Sequence, residues 1–112
     1  MIRVVFHPAA EVEMVVAAEF YDAHRPGLGL EFLAEVERAT RALVTYPRIG
    51  RQFSKRLRRL LVRRFPYGLL YQAEANEICV VAVAHVRRRP GYWRRRRPAQ
   101  PAFAAAGAAR RR

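Results

Sequence analysis

The chain has 112 residues with 52% hydrophobic and 11% aromatic side chains, enough for one two-layer domain, and no apolar run nears the roughly 20 residues of a membrane helix. The opening MIRVVFHPAAE lacks the basic, apolar and small-residue segments of a secretion signal, so a cytoplasmic protein without membrane contact is expected. The net charge of +13 is uneven: residues 1–47 hold four arginines against seven acids (−3), residues 48–93 eleven Lys/Arg against two acids (+9), and residues 94–112 seven arginines (+7).

A chain so polarised is expected to draw polyanions, nucleic acid or an acidic protein, in a salt-dependent manner. Lys55 is the sole lysine among the basic residues. That arginine bias fits a GC-rich genome as well as it fits bidentate guanidinium recognition.

In chain order, IRVVF (residues 2–6) alternates Ile2, Val4 and Phe6 on one face, the period of a half-buried strand. His7-Pro8 opens a helix over about 9–24, with Glu11 and Glu13 at its positive end and Val12, Val15, Val16 and Phe20 expected as its apolar stripe. PGLG (26–29) breaks it, and the short connection makes the next helix an antiparallel neighbour. That helix carries Phe32, Leu33, Val36, Thr40, Leu43 and Val44 and ends before Pro47. Residues 46–55 read as an exposed loop. Three β-rich runs follow, LRRLLVRR, YGLLYQA and EICVVAVAHV, spaced as consecutive antiparallel strands; the last, apolar on both faces, should be central in the sheet. The order β-α-α-β-β-β predicts an α+β fold, a helical hairpin packed on a small, mainly antiparallel sheet. Residues 1–93 form the domain, and 94–112, an Arg/Ala/Pro-rich tail, are expected to be disordered.

Among single residues, Cys79 lies inside EICVVAVA and reads as a packed core thiol, which excludes an internal disulfide. His7, His24 and His85 fall in separate elements without ligand spacing, so neither metal nor cofactor is expected. Tyr67 and Tyr71 lie four apart on one strand face and read as packing. Arg58, Arg59, Arg63 and Arg64 either track a phosphate backbone or guard a strand edge against aggregation. Glu11, Glu13, Glu19, Glu31, Glu35 and Glu37 read as a solvated face.

The stretch YGLLYQAEANEICVVAVAHVRRRPGYW, preceded by RRF and by a β-α-α front end containing FHPAAEVEM, PGLGLEFLAEVERA and YPRIG, resembles the RelE/ParE superfamily of bacterial toxins over about residues 2–93. The resemblance implies a toxin paired with a small, acidic antitoxin with a DNA-binding part. It implies one of two targets: messenger RNA cut on the ribosome in the RelE-like branch, or DNA gyrase in the ParE-like branch. Cleavage by a 2′-hydroxyl needs a base, a donor to the leaving oxygen and cations around the transition state. The basic pair that RelE-like nucleases carry before the tyrosine-bracketed strand falls here on Arg59 and Leu61, and the arginine after the first tyrosine is replaced by Gly68. Arg87 or Arg88 and Tyr92 or Trp93 keep the exit arginine and aromatic. Two missing cations, each worth about 3 kcal/mol in a preorganised site, favour the ParE-like branch. The expected contact residues are Arg59, Arg63, Arg64, His85, Arg87, Arg88, Tyr92 and Trp93; a nuclease would use Arg59, Arg64, Arg88 and an aromatic, Tyr92 or Trp93. A third reading is a non-toxic basic domain that binds nucleic acid.

Overall fold

Strand β1 (Arg3–Phe6) runs parallel to β5 (Glu77–His85), with Val4 opposite Ile78 and Phe6 opposite Val80. β5 pairs antiparallel with β4 (Tyr67–Ala73), β4 with β3 (Arg58–Leu61), and β3 with a two-residue β2 (Arg51–Gln52). The sheet order is β1-β5-β4-β3-β2, so the doubly apolar β5 lies inside the sheet as its sequence demands. Helices α1 (Pro8–His24) and α2 (Leu28–Thr45) form the hairpin on one face. The computed structural model describes residues 2–88, 91–93 and 96. Of the expected tail only Arg96 is among them; the other residues from 94 onward lie outside the described part.

Local chemistry explains the hairpin. His7 Nδ1 accepts a hydrogen bond from the Ala9 N–H at 3.0 Å and so caps α1, while Pro8 occupies the first turn, where no amide partner is needed. At the other end Asp22 Oδ1 accepts from the N–H groups of Gly27 (3.1 Å) and Gly29 (2.8 Å), tying the start of α2 to the end of α1. A Cβ at Gly29 would lie 2.4 Å from the Ala18 carbonyl oxygen, so only glycine allows the helices to cross this closely.

The helix-side core gathers Phe32, Val36 and Leu43 of α2, Ala10, Ala17 and Ala18 of α1, and Leu69, Tyr71, Ile78, Val80 and Val83 of the sheet. Tyr71 and Phe32 are its largest fully buried side chains, and each large apolar group contributes about 1.5–3 kcal/mol. Tyr71 also accepts the Gly50 N–H on its hydroxyl at 2.9 Å, which pins the chain entering β2. A β-bulge between Leu70 and Tyr71 skips Val81 in the pairing, so Val80 and Val83 face the helices while Val81 and Ala82 join a second cluster on the opposite face. That cluster contains Leu57, Leu70 and Trp93, with Ala84 and Tyr92 against it.

Three expectations are corrected here. Val12, Val15, Val16 and Phe20 do not face the core; they are 62%, 47%, 56% and 54% exposed. α1 is apolar around most of its circumference, and the face that wins carries alanines, because these let the helix approach α2 and β5 closely. The stretch 46–55 is not wholly loop, since Arg51 and Gln52 pair with Arg59 and Arg58. The helix acids are not merely a solvated face. Glu35 is buried, its carboxylate 3.3 Å from Arg38 Nε, although Oε1 finds no hydrogen bond of proper geometry among the described residues. Glu31 holds Arg64 at 2.8 Å and Arg25 at 3.4 Å, with the Arg64 hydrogen bond chiefly responsible for drawing its carboxyl below the usual range.

Candidate functional site

Cross-strand partners share a sheet face, so the pairs Arg51/Arg59, Arg59/Leu70 and Leu61/Gly68 place these residues together on the side away from the helices. A Cβ at Gly68 would lie 3.0 and 3.1 Å from Arg59 Cγ and Cδ, so the Arg59 side chain lies across the glycine, in the space that a larger residue would fill. The Arg59 guanidinium then reaches the Phe53 ring, 5.3 Å from its centroid.

From there a strip of aromatic and cationic groups continues across the face. Phe53 meets Trp93 edge-on at 5.6 Å, and Trp93 meets Tyr92 at 6.5 Å. Tyr92 is flanked by Arg88 at 3.9 Å and Arg96 at 5.1 Å. Trp93 is only 5% exposed, packed on Leu57, Leu70, Val81 and Ala82, so it closes the second core and is not presented as a free stacking platform. Burial pushes the Tyr92 hydroxyl up to about 12, with the Glu13 carboxylate adding to the rise against Arg88 and Arg96. It therefore stays protonated at neutral pH and cannot serve as a base there.

The strip is anchored at the edge of β5 by residues the sequence did not single out. β1 ends opposite Val80, leaving the next groups of β5 without a strand partner. Glu13 Oε1 accepts the Val83 N–H at 2.9 Å, and Arg96 donates to the Val81 carbonyl at 3.1 Å. The two side chains join in a bidentate pair at 2.8 and 3.0 Å, and both are largely buried. An ion pair thus continues the hydrogen bonding where β1 stops, and it holds the C-terminal segment against the face. Residues 83 apart in the chain leave no local pattern from which this pairing is readable.

The eight expected contact residues therefore divide. Arg59, Arg88, Tyr92 and Trp93 come together on the strip. His85 sits at the helix-side end of the sheet, its ring 5.3 Å from Tyr67, with Nδ1 accepting the Arg87 N–H at 3.0 Å to close the turn after β5. Arg87 is exposed beyond that turn. Arg64 turns to α2, with φ of 72°, and is bound to Glu31. Arg63 is exposed at the rim of an apolar hollow of about 220 Å³ between α2 and β3. Of the four residues a nuclease would use, Arg64 is thus held away from the other three. Among the described residues no group of three or more His, Cys, Asp or Glu is arranged to hold a metal, and no helix is long and apolar enough to cross a membrane.

Comparison with known proteins gives two matches. The family profile described as ParE toxin of type II toxin-antitoxin system, parDE, matches residues 4–90. Among solved structures, the chain is similar to one described as the chromosomal ParDE TA system from P. aeruginosa, with a TM-score of 0.67 at 17% identity, covering 76% of this chain and 96% of that one. At that identity the likeness speaks for the fold. A search of curated proteins finds no match.

Proposed function

Since this chain belongs to the ParE toxin family of type II toxin–antitoxin systems, we propose that it arrests growth by binding an essential protein, DNA gyrase, and is held inactive by a cognate antitoxin. The observation that carries the choice of a binding function is the open face itself. Leu61 and Gly68 stand where cations would be required, Arg59 spends its stem covering Gly68, and Arg64 is committed to Glu31. Losing two cations forfeits several kcal/mol of transition-state stabilisation, about 3 kcal/mol for each. What remains, Arg59, Phe53, Tyr92 and Arg88, is a set of arginines and aromatics of the kind that anchors protein interfaces.

The antitoxin would cover the outer stripe of α1. Val12, Val15, Val16 and Phe20 form an exposed apolar row at helical spacing, which fits the apolar face of an amphipathic segment. Acidic side chains in that segment would complement the basic sheet half. The test is gyrase supercoiling by purified components: the toxin inhibits and a small acidic protein encoded beside it relieves the inhibition. Undisturbed supercoiling at excess toxin, together with codon-phased transcript ends in a translating extract, would replace this reading with the ribosome-dependent nuclease. Normal growth on expression without antitoxin would favour the non-toxic nucleic-acid-binding domain.

A further inference from the structure

Away from the strip, the loop before β2, the β2–β3 turn and the start of β3 enclose a hollow of about 240 Å³ whose polar lining is Arg48, Gln52, Lys55, Arg56 and Arg58. Four of these five are cations, and no carboxylate lines it. Glu74, next in the chain to the lining residue Ala73, is turned to the Gln72 side-chain amide. Arg48, Lys55 and Arg56 form no ion pair or side-chain hydrogen bond with a described residue, whereas Arg3, Arg25, Arg38, Arg41, Arg64 and Arg96 each have an acid partner.

The cations are held in place. Arg58 donates to the carbonyls of Gly50 (2.8 Å) and Arg48 (3.3 Å), which fixes the loop bearing Arg48. The β2–β3 turn bearing Lys55 and Arg56 is closed by the Phe53 and Ser54 N–H groups on the Leu57 carbonyl (2.8 and 3.1 Å) and by the Leu57 N–H on Ser54 Oγ (3.3 Å). Like charges gathered in one concavity repel until an anion enters, and the concavity concentrates their field on that anion.

We infer that this hollow is a phosphate-binding site for the backbone of a nucleic acid. Guanidinium forks match phosphate oxygens, and the hollow is mainly polar. An acidic protein segment would need an apolar or aromatic anchor at the centre, which Leu57 on the floor, itself buried, does not offer. The site is distinct from the Arg59–Tyr92 strip and does not depend on the gyrase reading.

The experiment uses the full chain and a variant with Arg48→Ala, Lys55→Ala and Arg56→Ala together; Arg58 is retained because it supports the loop. Affinity for a labelled 20-base-pair DNA duplex and for a single-stranded RNA of equal length is measured by anisotropy between 50 and 200 mM salt. The tail arginines contribute equally to both proteins and cancel. Three lost phosphate contacts should flatten the slope of log K against log salt by about 2.7 for the duplex, or about 2 for the single strand, and the larger difference identifies the preferred nucleic acid. A slope change of less than one contact in both arms would overturn the inference, as would polyglutamate of equal charge competing as well as the duplex. Should the variant fail to fold, inorganic phosphate added to the unchanged protein should shift backbone amides within residues 48–58; shifts spread evenly over other arginines would overturn it. Failure of gyrase inhibition leaves these slopes untouched, so the two proposals fail separately.

Discussion

Replacing Glu13 with alanine should cost about 3 kcal/mol of stability, the sum of two losses at the edge of β5. The Val83 N–H, 2.9 Å from Glu13 Oε1, would lose its acceptor inside the structure, worth about 1–3 kcal/mol. The Arg96 guanidinium would lose its carboxylate; because Arg96 is 17% exposed and can swing to water, that loss falls below the roughly 3–5 kcal/mol of a fully buried pair. Glu13→Gln keeps a carbonyl for Val83 and removes only the charge, so about 1 kcal/mol is expected. Arg96→Ala spares the Val83 bond and should fall between them. At about 4–8 °C per kcal/mol for a domain of this size, the melting temperature should drop by about 12–24 °C for Glu13→Ala and about 4–8 °C for Glu13→Gln. Urea unfolding followed by the fluorescence of Trp93, the only tryptophan, measures all three. Equal losses for Glu13→Ala and Glu13→Gln would refute the role given to the Val83 bond. An unchanged Trp93 emission and stability in Arg96→Ala would refute the anchoring of the C-terminal segment.

Other expectations follow from the same structure. Tyr71→Phe removes the acceptor of the buried Gly50 N–H and should cost about 1–2 kcal/mol in thermal or urea melts, with little change in core volume. Burial first, and the Arg96 charge second, hold the His7 imidazole below its ordinary value. A group depressed in the folded state contributes stability above its unfolded pKa of about 6.5 and loses it as pH falls through the folded value, so melting temperature should decline below about pH 6.5. His7→Asn keeps a side-chain acceptor for the Ala9 N–H and should remove that decline. Val16→Glu on the outer face of α1 should change stability by less than about 0.5 kcal/mol yet weaken antitoxin binding at least tenfold by calorimetry; unaltered binding would move the antitoxin elsewhere.

The chain itself determined the element order, the hairpin and the interior place of β5, because these rest on local signals: the Pro8 start, the PGLG break, the period of IRVVF and the unbroken apolar run EICVVAVA. It also carried the family, since FHPAAEVEM and the tyrosine-bracketed strand stand in sequence. It did not carry the burial of α1, because a helix apolar on most sides has no periodicity that selects a face, and close packing against Gly29 and β5 chose the alanines. Nor did it reveal which arginines are available. Arg64 and Arg63 are neighbours of one type, yet a backbone turn sends Arg64 to Glu31 on α2, while Arg63 remains exposed. Glu13 and Arg96 meet across 83 residues because β1 ends short and leaves groups of β5 to be satisfied. Composition sets how many charges there are; only the tertiary structure decides which are paired, since pairing depends on distances between elements that sequence spacing does not encode.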